Sequence, residues 1–548
     1  MLEPIPARGA LLPHLHGPSA AEPPCERPGQ QGRHGFERSC IGRRFAARLG
    51  YAVFALLLIY GSGFPLLLST VLQQVGHLPE GPWFFRVLYP IGYSRFERGE
   101  DSTVDLVTQP YLMLAIPWFV ASMVWEAFMI CVVVPPTWRP KHVYRINDTM
   151  SSLSTGVLYM LAAQVILFQW AKPLYTSIYS HFRVTDAFLD LHSVMGWWLC
   201  LLMNDILYYV YHRASHTISW LWAGHVVHHS SEEYNLSTAL RQPAIDFLTP
   251  SLLLSSTGMA FFFPPEMATL HGEFSLLYQF WIHTQLVPPL PTIELVFNTA
   301  SLHRIHHARN AHLLGKNYGS IFSLWDRVGG TFESEPSEGE EIYYGIVPPL
   351  NSWSPLWANI VHWHHMLMVQ RRWHGWKTLF VHWTPPNGSC PRLGMRLNPR
   401  TKYDKAPATA PLSAYVALEF SLGCAGAVLL IMLGPPVGLV AAATGLPEDF
   451  SAGLCHVAAF LAVLASLTSV AALESAEPGR SLCRALIGNA TVHVSIAVAC
   501  LALLCAGATR AMSTAVGGVV FSYAVLHLGV PAVLCLKERR RVASAARQ

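Results

Sequence analysis

Residues 205–242 read DILYYVYHRASHTISWLWAGHVVHHSSEEYNLSTALRQ, and this stretch contains five histidines at helical spacing. A further group follows in SLHRIHHARN at 301–310. The pattern is HxxxH followed by two copies of HxxHH. Residues three and four apart share one face of a helix, so each group places its imidazoles on one side. The eight box histidines are His212, His216, His225, His228, His229, His303, His306 and His307.

This histidine pattern predicts a pair of metal ions. Imidazole is a good ligand for iron, copper, zinc and nickel. A structural zinc site has about four ligands and usually includes Cys, whereas no Cys lies inside the boxes. Eight imidazoles exceed one site and favour two metals with about four ligands each. Zinc has no redox role, so a paired all-nitrogen site at a membrane face favours two irons that activate oxygen.

The composition predicts a membrane protein. Only 13% of the 548 residues are charged and 52% are hydrophobic, whereas soluble proteins have about 25% charged residues. We therefore expect an all-α, polytopic membrane bundle with the histidine boxes at its cytosolic face. The net charge of +4 is small, and we expect no nucleic-acid partner. The eleven cysteines include no CxxC and predict no disulfide framework.

Apolar runs predict about ten membrane passes, because about 20 apolar residues span a bilayer. Basic residues before the first run place the N-terminus in the cytosol. Two runs bracketed by Pro-Pro pairs, 245–263 and 267–287, are interpreted as a hairpin that returns the third box to the side of the first two. The other runs are 51–72, 112–134, 153–176, 190–210, 412–435, 452–472, 490–508 and 515–536.

The same patterns divide the chain into predicted segments. Residues 85–345 form the expected histidine-box catalytic domain with membrane helices. The flanking segments are a disordered extension at 1–47, an extra span and linker at 48–84, a cytosolic cap at 346–411, C-terminal membrane helices at 412–536 and a basic cytosolic tail at 537–548.

Several polar residues near the boxes are further candidates. Asp205 precedes the first box histidine by seven residues on the same helix face and is expected to accept a hydrogen bond from a ligand imidazole. His283 lies at membrane depth, where ionisable groups are usually functional, and is expected to join the metal site. Glu232, Glu233 and Arg241 could orient ligands, bind a headgroup or cofactor, or form a solvated face.

The quoted boxes carry a family resemblance. DILYYVYHRASH, WAGHVVHHSSEEYNLSTALRQ, LLYQFWIHT and HRIHHARN with KNYGSIFSLWDRVGGTFE resemble the fatty acid hydroxylase superfamily of membrane di-iron enzymes. More narrowly, they are similar to the alkylglycerol monooxygenase family. The resemblance is strongest over 190–335 and extends more weakly from 85 to the C-terminus.

This resemblance implies a multi-pass enzyme of the endoplasmic reticulum membrane whose active site faces the cytosol. It implies two irons, dioxygen and tetrahydrobiopterin as an external reductant. The substrate would be an alkylglycerol ether lipid from the bilayer, hydroxylated at its ether-linked carbon and released as a fatty aldehyde and a glycerol derivative. The iron-ligand role then falls on the eight box histidines, and the pterin-binding residues stay unassigned.

Two departures keep alternatives open. Thr217 and Gln285 stand where the family usually has Glu, which favours altered activity or substrate preference. One alternative is a member of the same superfamily that acts on sterols or fatty acids. A second is a histidine-rich metal transporter or haem protein, and a third is a catalytically weakened homologue with a regulatory role.

Overall fold

The computed structural model is predominantly helical in the residues that it describes. These are 50–56, 111–134, 140–141, 143–166, 171–186, 194–249, 258–336, 340–347, 349–370, 375–380, 389–390, 395–396, 402–403, 410–433, 448–476, 481–492, 530–538, 540 and 544. The chain divides into two compact units, Met1–Val53 and Phe54–Gln548. The fold and site below belong to the second unit. The predicted disordered extension at 1–47 lies outside the described residues.

The helical class predicted from the sequence is confirmed. Two-residue strands, β1 (Ser389–Cys390) and β2 (Met395–Arg396), pair antiparallel. Residues 481–492 and 530–538 are also helical. The named helices are α1 (Tyr111–Phe128), α2 (Ile146–Ile166), α3 (Lys172–Phe182), α4 (Val194–Thr217), α5 (Ser219–His229), α6 (Leu236–Ala239), α7 (Pro265–Trp281), α8 (Ala300–His306), α9 (Leu324–Gly329), α10 (Pro355–His364), α11 (Ala410–Leu433) and α12 (Glu448–Ser475).

One apolar helix has the length of a membrane span. Within the described ranges, Ala115–Val133 alone is long and apolar enough to cross a bilayer, at 19 residues and a mean hydropathy of 1.9. It comprises most of α1 and a π-helical turn, Met129–Val133. The predicted run 112–134 corresponds to it. Exposed side chains recur every fourth residue along its outer face: Val120, Val124, Phe128 and Val132.

Other predicted runs meet the structure in different ways. Helix α4 continues unbroken through the first box, as the run 190–210 predicted. Within the run 153–176, α2 extends to Ile166 and α3 begins at Lys172, and residues 167–170 between them lie outside the described part of the chain. Pro173 lies in the first turn of α3, where proline is favoured.

The second arm of the predicted hairpin is helical, and part of its first arm lies outside the described residues. Helix α7 begins at the second proline of Pro264–Pro265 and ends at Trp281. The first arm starts with a 3-10 turn, Asp246–Leu248, and residues 250–257 lie outside the described part of the chain. Most of 51–72, 490–508 and 515–536 also lies outside it. The number of passes therefore stays a prediction.

An apolar core between α1, α4 and α7 supports the boxes. Phe119 of α1 packs on Phe280 of α7 with ring centroids 4.2 Å apart, and Trp197 of α4 belongs to the same buried cluster. The short helix α6 contributes Leu236 to this cluster and is crossed by α2. A Cβ at Gly156 would overlap the carbonyl oxygen of Leu240, so the close crossing requires glycine. This packing fixes the helices that carry and flank the boxes.

Candidate metal centre

The structure brings nine histidines together in two adjacent groups. In each group the candidate donor atoms lie within 4.8 Å of one another. Eight of the nine are the box histidines, and the ninth is His283, which the sequence also proposed. We call the two sets group A, which contains His212, His216, His225, His229 and His306, and group B, which contains His228, His283, His303 and His307.

Helix geometry explains why neighbouring histidines join different groups. Successive residues on a helix differ in direction by about 100°. His228 and His229 at the end of α5 therefore diverge, the first into group B and the second into group A. His306 and His307 at the end of α8 diverge in the same way. The HH dipeptides of the second and third boxes therefore let each of these two short helices place a histidine in both groups.

Backbone carbonyls orient four of the imidazoles. Nδ1 of His212 lies 2.8 Å from the oxygen of Tyr318, and Nδ1 of His228 lies 3.1 Å from that of Arg241. His283 and His306 make equivalent contacts with Gln279 and Lys316, at 2.6 and 3.0 Å. A carbonyl only accepts, so Nδ1 carries the proton and donates. The Nε2 lone pair is then directed inward, where a metal would need it.

The inward nitrogens are spaced as ligands of shared ions. In group A, Nε2 of His225 lies 3.0 Å from Nε2 of both His212 and His229. In group B, Nε2 of His283 lies 3.1 Å from that of His303 and 3.3 Å from that of His228. Two nitrogens on one metal at about 2.1 Å each are about 3.0 to 3.4 Å apart. These lone pairs would repel without a cation between them, so both groups fit a bound metal.

Burial keeps the imidazoles neutral. Desolvation lowers the pKa of His212 to about 3 and that of His228 to about 4, although the carbonyl contact of each ring opposes the shift. Burial and neighbouring imidazoles also lower the pKa values of His225 and His303 well below the usual range. A neutral imidazole has the lone pair that a metal requires. The centre is therefore ready to bind cations at neutral pH.

The metal-free protein is expected to lose stability on acidification from about pH 7.5 to about pH 5. Histidines of the unfolded chain bind protons near pH 6.5, whereas His212 and His228 in the native state do so only near pH 3 and 4. The unfolded state thus holds more protons over this window, and stability falls as the pH falls. The loss at about pH 5 should be about 2 kcal/mol for each of these two histidines. Urea unfolding of chelator-treated protein measures it, and an unfolding midpoint that does not change would contradict it.

The contact expected of Asp205 is wrong. Its carboxylate accepts from the backbone N–H groups of Ile321 at 2.8 Å and Phe322 at 3.2 Å, and from Nε1 of Trp325 at 2.7 Å. It bonds no box histidine in these contacts, because seven helical residues separate it from His212 by about 10 Å along the axis. Asp205 instead holds the segment whose Tyr318 carbonyl orients His212.

The acidic and basic residues after the second box form a buried network, so the solvated-face interpretation is wrong. Glu232 and Glu233 are 4% and 3% exposed. Arg145 pairs with both, at 2.7 and 2.6 Å, and Lys402 pairs with Glu233 at 2.7 Å. Arg241 is 1% exposed and pairs with another buried carboxylate. The network secures the chain segment that follows His229.

A cavity of about 320 Å³ opens beside the two groups. Four of the nine histidines border it: His216, His229, His306 and His307. Trp222 and Tyr318 supply aromatic walls, and Arg213 and Arg309 supply cationic groups. The centre is therefore reachable by a molecule larger than dioxygen.

The two departures from the family pattern have clear surroundings. Thr217 borders this cavity, but its hydroxyl donates to the carbonyls of Arg213 at 3.0 Å and Ala214 at 3.3 Å. Gln285 donates through Nε2 to the carbonyl oxygen of Tyr234 at 3.0 Å. Neither side chain belongs to group A or group B. The departures leave both groups of donors complete.

Tyr234 and Tyr318 are site residues that the sequence did not single out. The Tyr318 ring lies 5.2 Å from that of His216, and the Tyr234 ring lies 5.3 Å from that of His307. The Tyr234 hydroxyl donates to the carbonyl of Ile282 at 2.8 Å, which secures the chain next to His283. Only their proximity to the boxes in the sequence could have indicated them.

Comparisons with known proteins agree with the geometry. A fatty acid hydroxylase family profile matches residues 197–331. Alkylglycerol monooxygenase of Homo sapiens is 38% identical over 261 residues, 47% of this chain and 55% of that protein. The Danio rerio relative is 36% identical over 353 residues, 62% of this chain and 74% of that protein. The chain thus spans about half to three quarters of the length of these two relatives. No solved structure matches it.

Proposed function

The chain belongs to the alkylglycerol monooxygenase family, and we propose on that premise that it is a membrane di-iron monooxygenase of ether lipids. It cleaves the O-alkyl bond of alkylglycerols with dioxygen and tetrahydrobiopterin. The observation that carries the proposal is the convergence of nine histidines into two adjacent groups with ligand spacing. Iron bound in these groups would supply the reductive activation of dioxygen.

The reaction balances as a monooxygenation. One oxygen atom enters the C–H bond beside the ether oxygen, and the other leaves as water. The reductant supplies two electrons and two protons. The resulting hemiacetal breaks its C–O bond to give a fatty aldehyde and a glycerol derivative. The chain does not have to cut the ether bond itself.

The protein residues position and insulate the site. The carbonyls of Tyr318, Arg241, Gln279 and Lys316 hold four imidazoles in the tautomer that directs Nε2 inward. Most of the group residues are almost inaccessible to solvent. Excluding water strengthens electrostatic interactions inside the site and limits side reactions. The ligands are thus arranged before the substrate arrives.

The cavity beside the groups is the proposed space for the reductant or the reacting part of the lipid. Its aromatic walls, Trp222 and Tyr318, fit a planar ring such as that of tetrahydrobiopterin. Arg213 and Arg309 fit its carbonyl oxygen or a lipid headgroup. The cavity therefore supports a second molecule bound close to the metals.

Exposed apolar surfaces support a membrane location. The stripe on α1 described above is one such surface. Helix α4 exposes a second set just before the boxes: Trp198, Leu199, Leu202, Ile206 and Val210. Large exposed apolar patches favour contact with lipid or another protein. We propose the endoplasmic reticulum membrane, with the boxes at its cytosolic face and the substrate entering laterally from the bilayer.

An aldehyde-release assay tests the function. Membranes that contain the full chain would receive an alkylglycerol, with and without tetrahydrobiopterin. Pterin-dependent aldehyde release that His228→Ala abolishes is the expected result. Turnover by that variant at the wild-type rate would overturn the proposal. Sterols and free fatty acids in parallel incubations separate a related hydroxylase from an ether-lipid enzyme.

A further inference from the structure

Helices α4 and α7, which lead into the metal centre, each carry a row of polar side chains on one face. Four-residue spacing keeps side chains on one helix face. On α4 such a row ends in the first box, and on α7 a similar row ends at the group B histidine just after the helix. The rows are Asn204, Tyr208, His212 and His216 on α4, and His271, Ser275, Gln279 and His283 along α7 and its C-terminal extension.

Hydrogen bonds join the two rows one turn below the histidines. The Tyr208 hydroxyl donates to Oε1 of Gln279 at 2.7 Å. Gln279 donates through Nε2 to Oγ of Ser275 at 3.1 Å, and that hydroxyl bonds Ser320 at 2.6 Å. The bridge, defined as Tyr208, Gln279, Ser275 and Ser320, therefore links α4, α7 and the segment before α9.

Each end of the bridge leads to a different metal group. The carbonyl of Gln279 accepts from Nδ1 of His283, which belongs to group B. Ser320 lies two residues after Tyr318, whose carbonyl orients His212 of group A. The Tyr208 ring also packs against that of His212 with centroids 5.1 Å apart. The bridge thus contacts the supports of both groups.

Apolar packing alone would not provide this link. Partly buried polar side chains are unfavourable unless paired, and an apolar contact between two helices lets them slide and rotate slightly. Directional hydrogen bonds instead fix the register of the two helices. A centre in which two ions act together requires a fixed separation between them.

We propose that Tyr208, Gln279 and Ser275 are positioning residues that set the spacing between the two metal sites. The inference rests on the proposed two-iron function and adds which side chains set the distance between the two irons. Neither Tyr208 nor Gln279 belongs to group A or group B. The bridge determines how the two irons face each other, while the histidines determine that they bind.

The test compares purified, iron-loaded full-length variants. Tyr208→Phe and Gln279→Met each remove the bond between α4 and α7 with little change in volume, and the double variant removes both partners. Tyr175→Phe is the matched control, because its hydroxyl donates to the carbonyl of Phe263 at 2.9 Å in a cluster that contains none of the nine histidines. The measurements are iron per chain, thermal unfolding midpoint, and the exchange coupling of the oxidised irons by variable-temperature magnetisation.

The expected result is a change in exchange coupling in both single variants, with iron content retained. The double variant should match Gln279→Met, since that change already removes the bond to Tyr208 together with the bond to Ser275. Turnover should fall by about 100-fold, as expected for a misplacement of about 1 Å. Tyr175→Phe should keep the wild-type coupling and turnover. Wild-type coupling in both bridge variants would overturn the proposal.

A second measurement is needed if a bridge variant loses iron, because its exchange coupling could then not be measured. Cobalt titration of metal-free protein, followed by visible absorption, reports how binding of the first ion affects the second. If the first cobalt ion no longer affects binding of the second in Tyr208→Phe, while Tyr175→Phe behaves as the wild type, the proposal is supported. If the first ion still affects the second in Tyr208→Phe, the proposal is overturned. Fewer than two irons per chain in the wild type would instead overturn the two-iron function.

Discussion

Replacing His303 by Ala is expected to remove one of two irons and to lower turnover by more than about 100-fold, since losing an outer-shell partner alone costs about 10- to 100-fold. Group B has four candidate donors, so this change leaves three. His225→Ala removes a donor from group A and leaves four. An ion bound by three imidazoles has one metal–nitrogen bond fewer than an ion bound by four, and is held less tightly. His225→Ala should therefore retain more iron than His303→Ala, although both should be nearly inactive.

Iron analysis of the purified variants, with aldehyde release in parallel, measures this asymmetry. His362→Ala is the matched control. His362 is also a buried histidine, at 2% exposed, but it contacts Ser219 at 3.0 Å and belongs to neither group. It should retain both irons. Equal iron loss from His225→Ala and His303→Ala would contradict the division into five and four donors.

The spacing of the histidines predicted most of the centre because it depends on local helix geometry. Residues three and four apart share a face whatever surrounds the helix, so the boxes were recognisable without a structure. His283 has no box around it, and it was proposed only as an ionisable group at membrane depth. The structure places it in group B. That placement depends on where α7 ends, at Trp281, relative to the other helices.

The supports of the histidines could not be predicted from the sequence. Backbone carbonyls orient four rings, and every residue type has a carbonyl. Asp205 illustrates the same limit, since helix periodicity placed it on the face of His212 but did not reveal the segment 318–326 that contacts both residues. Its bonds to Ile321, Phe322 and Trp325 depend on tertiary packing. Local patterns identify the donor atoms, and long-range contacts determine their orientation.

Arg241→Met is expected to lower the free energy of unfolding by about 3–5 kcal/mol, because it would remove the cationic partner of a buried carboxylate. Arg241 and Asp148 are 1% and 2% exposed, and Nη1 of the arginine lies 3.4 Å from Oδ1 of the aspartate. The guanidinium also donates through Nε to Oγ of Ser230 at 2.9 Å and to the carbonyl of Val227 at 3.2 Å. Methionine keeps most of the side-chain volume and removes every one of these donors.

The same substitution should also weaken metal binding in group B. The backbone carbonyl of Arg241 accepts from Nδ1 of His228, so movement of residue 241 would release that ring. An outer-shell loss of this kind lowers metal affinity by about 10- to 100-fold. The exposed pair of Arg183 and Asp186 is the control, because its side chains are 33% and 70% exposed. Arg183→Met should leave the stability close to that of the wild type.

A double-mutant cycle separates the buried charge from the lost packing. Asp148→Asn combined with Arg241→Met removes both charges and should recover part of the stability that Arg241→Met loses. Metal affinity should recover less, since neither substitution restores the hold on residue 241. Chemical unfolding of metal-free protein in detergent gives the first quantity, and metal titration gives the second. If stability and metal affinity both recover fully, the charge pair determines metal binding, and the position of the residue 241 carbonyl that orients His228 does not.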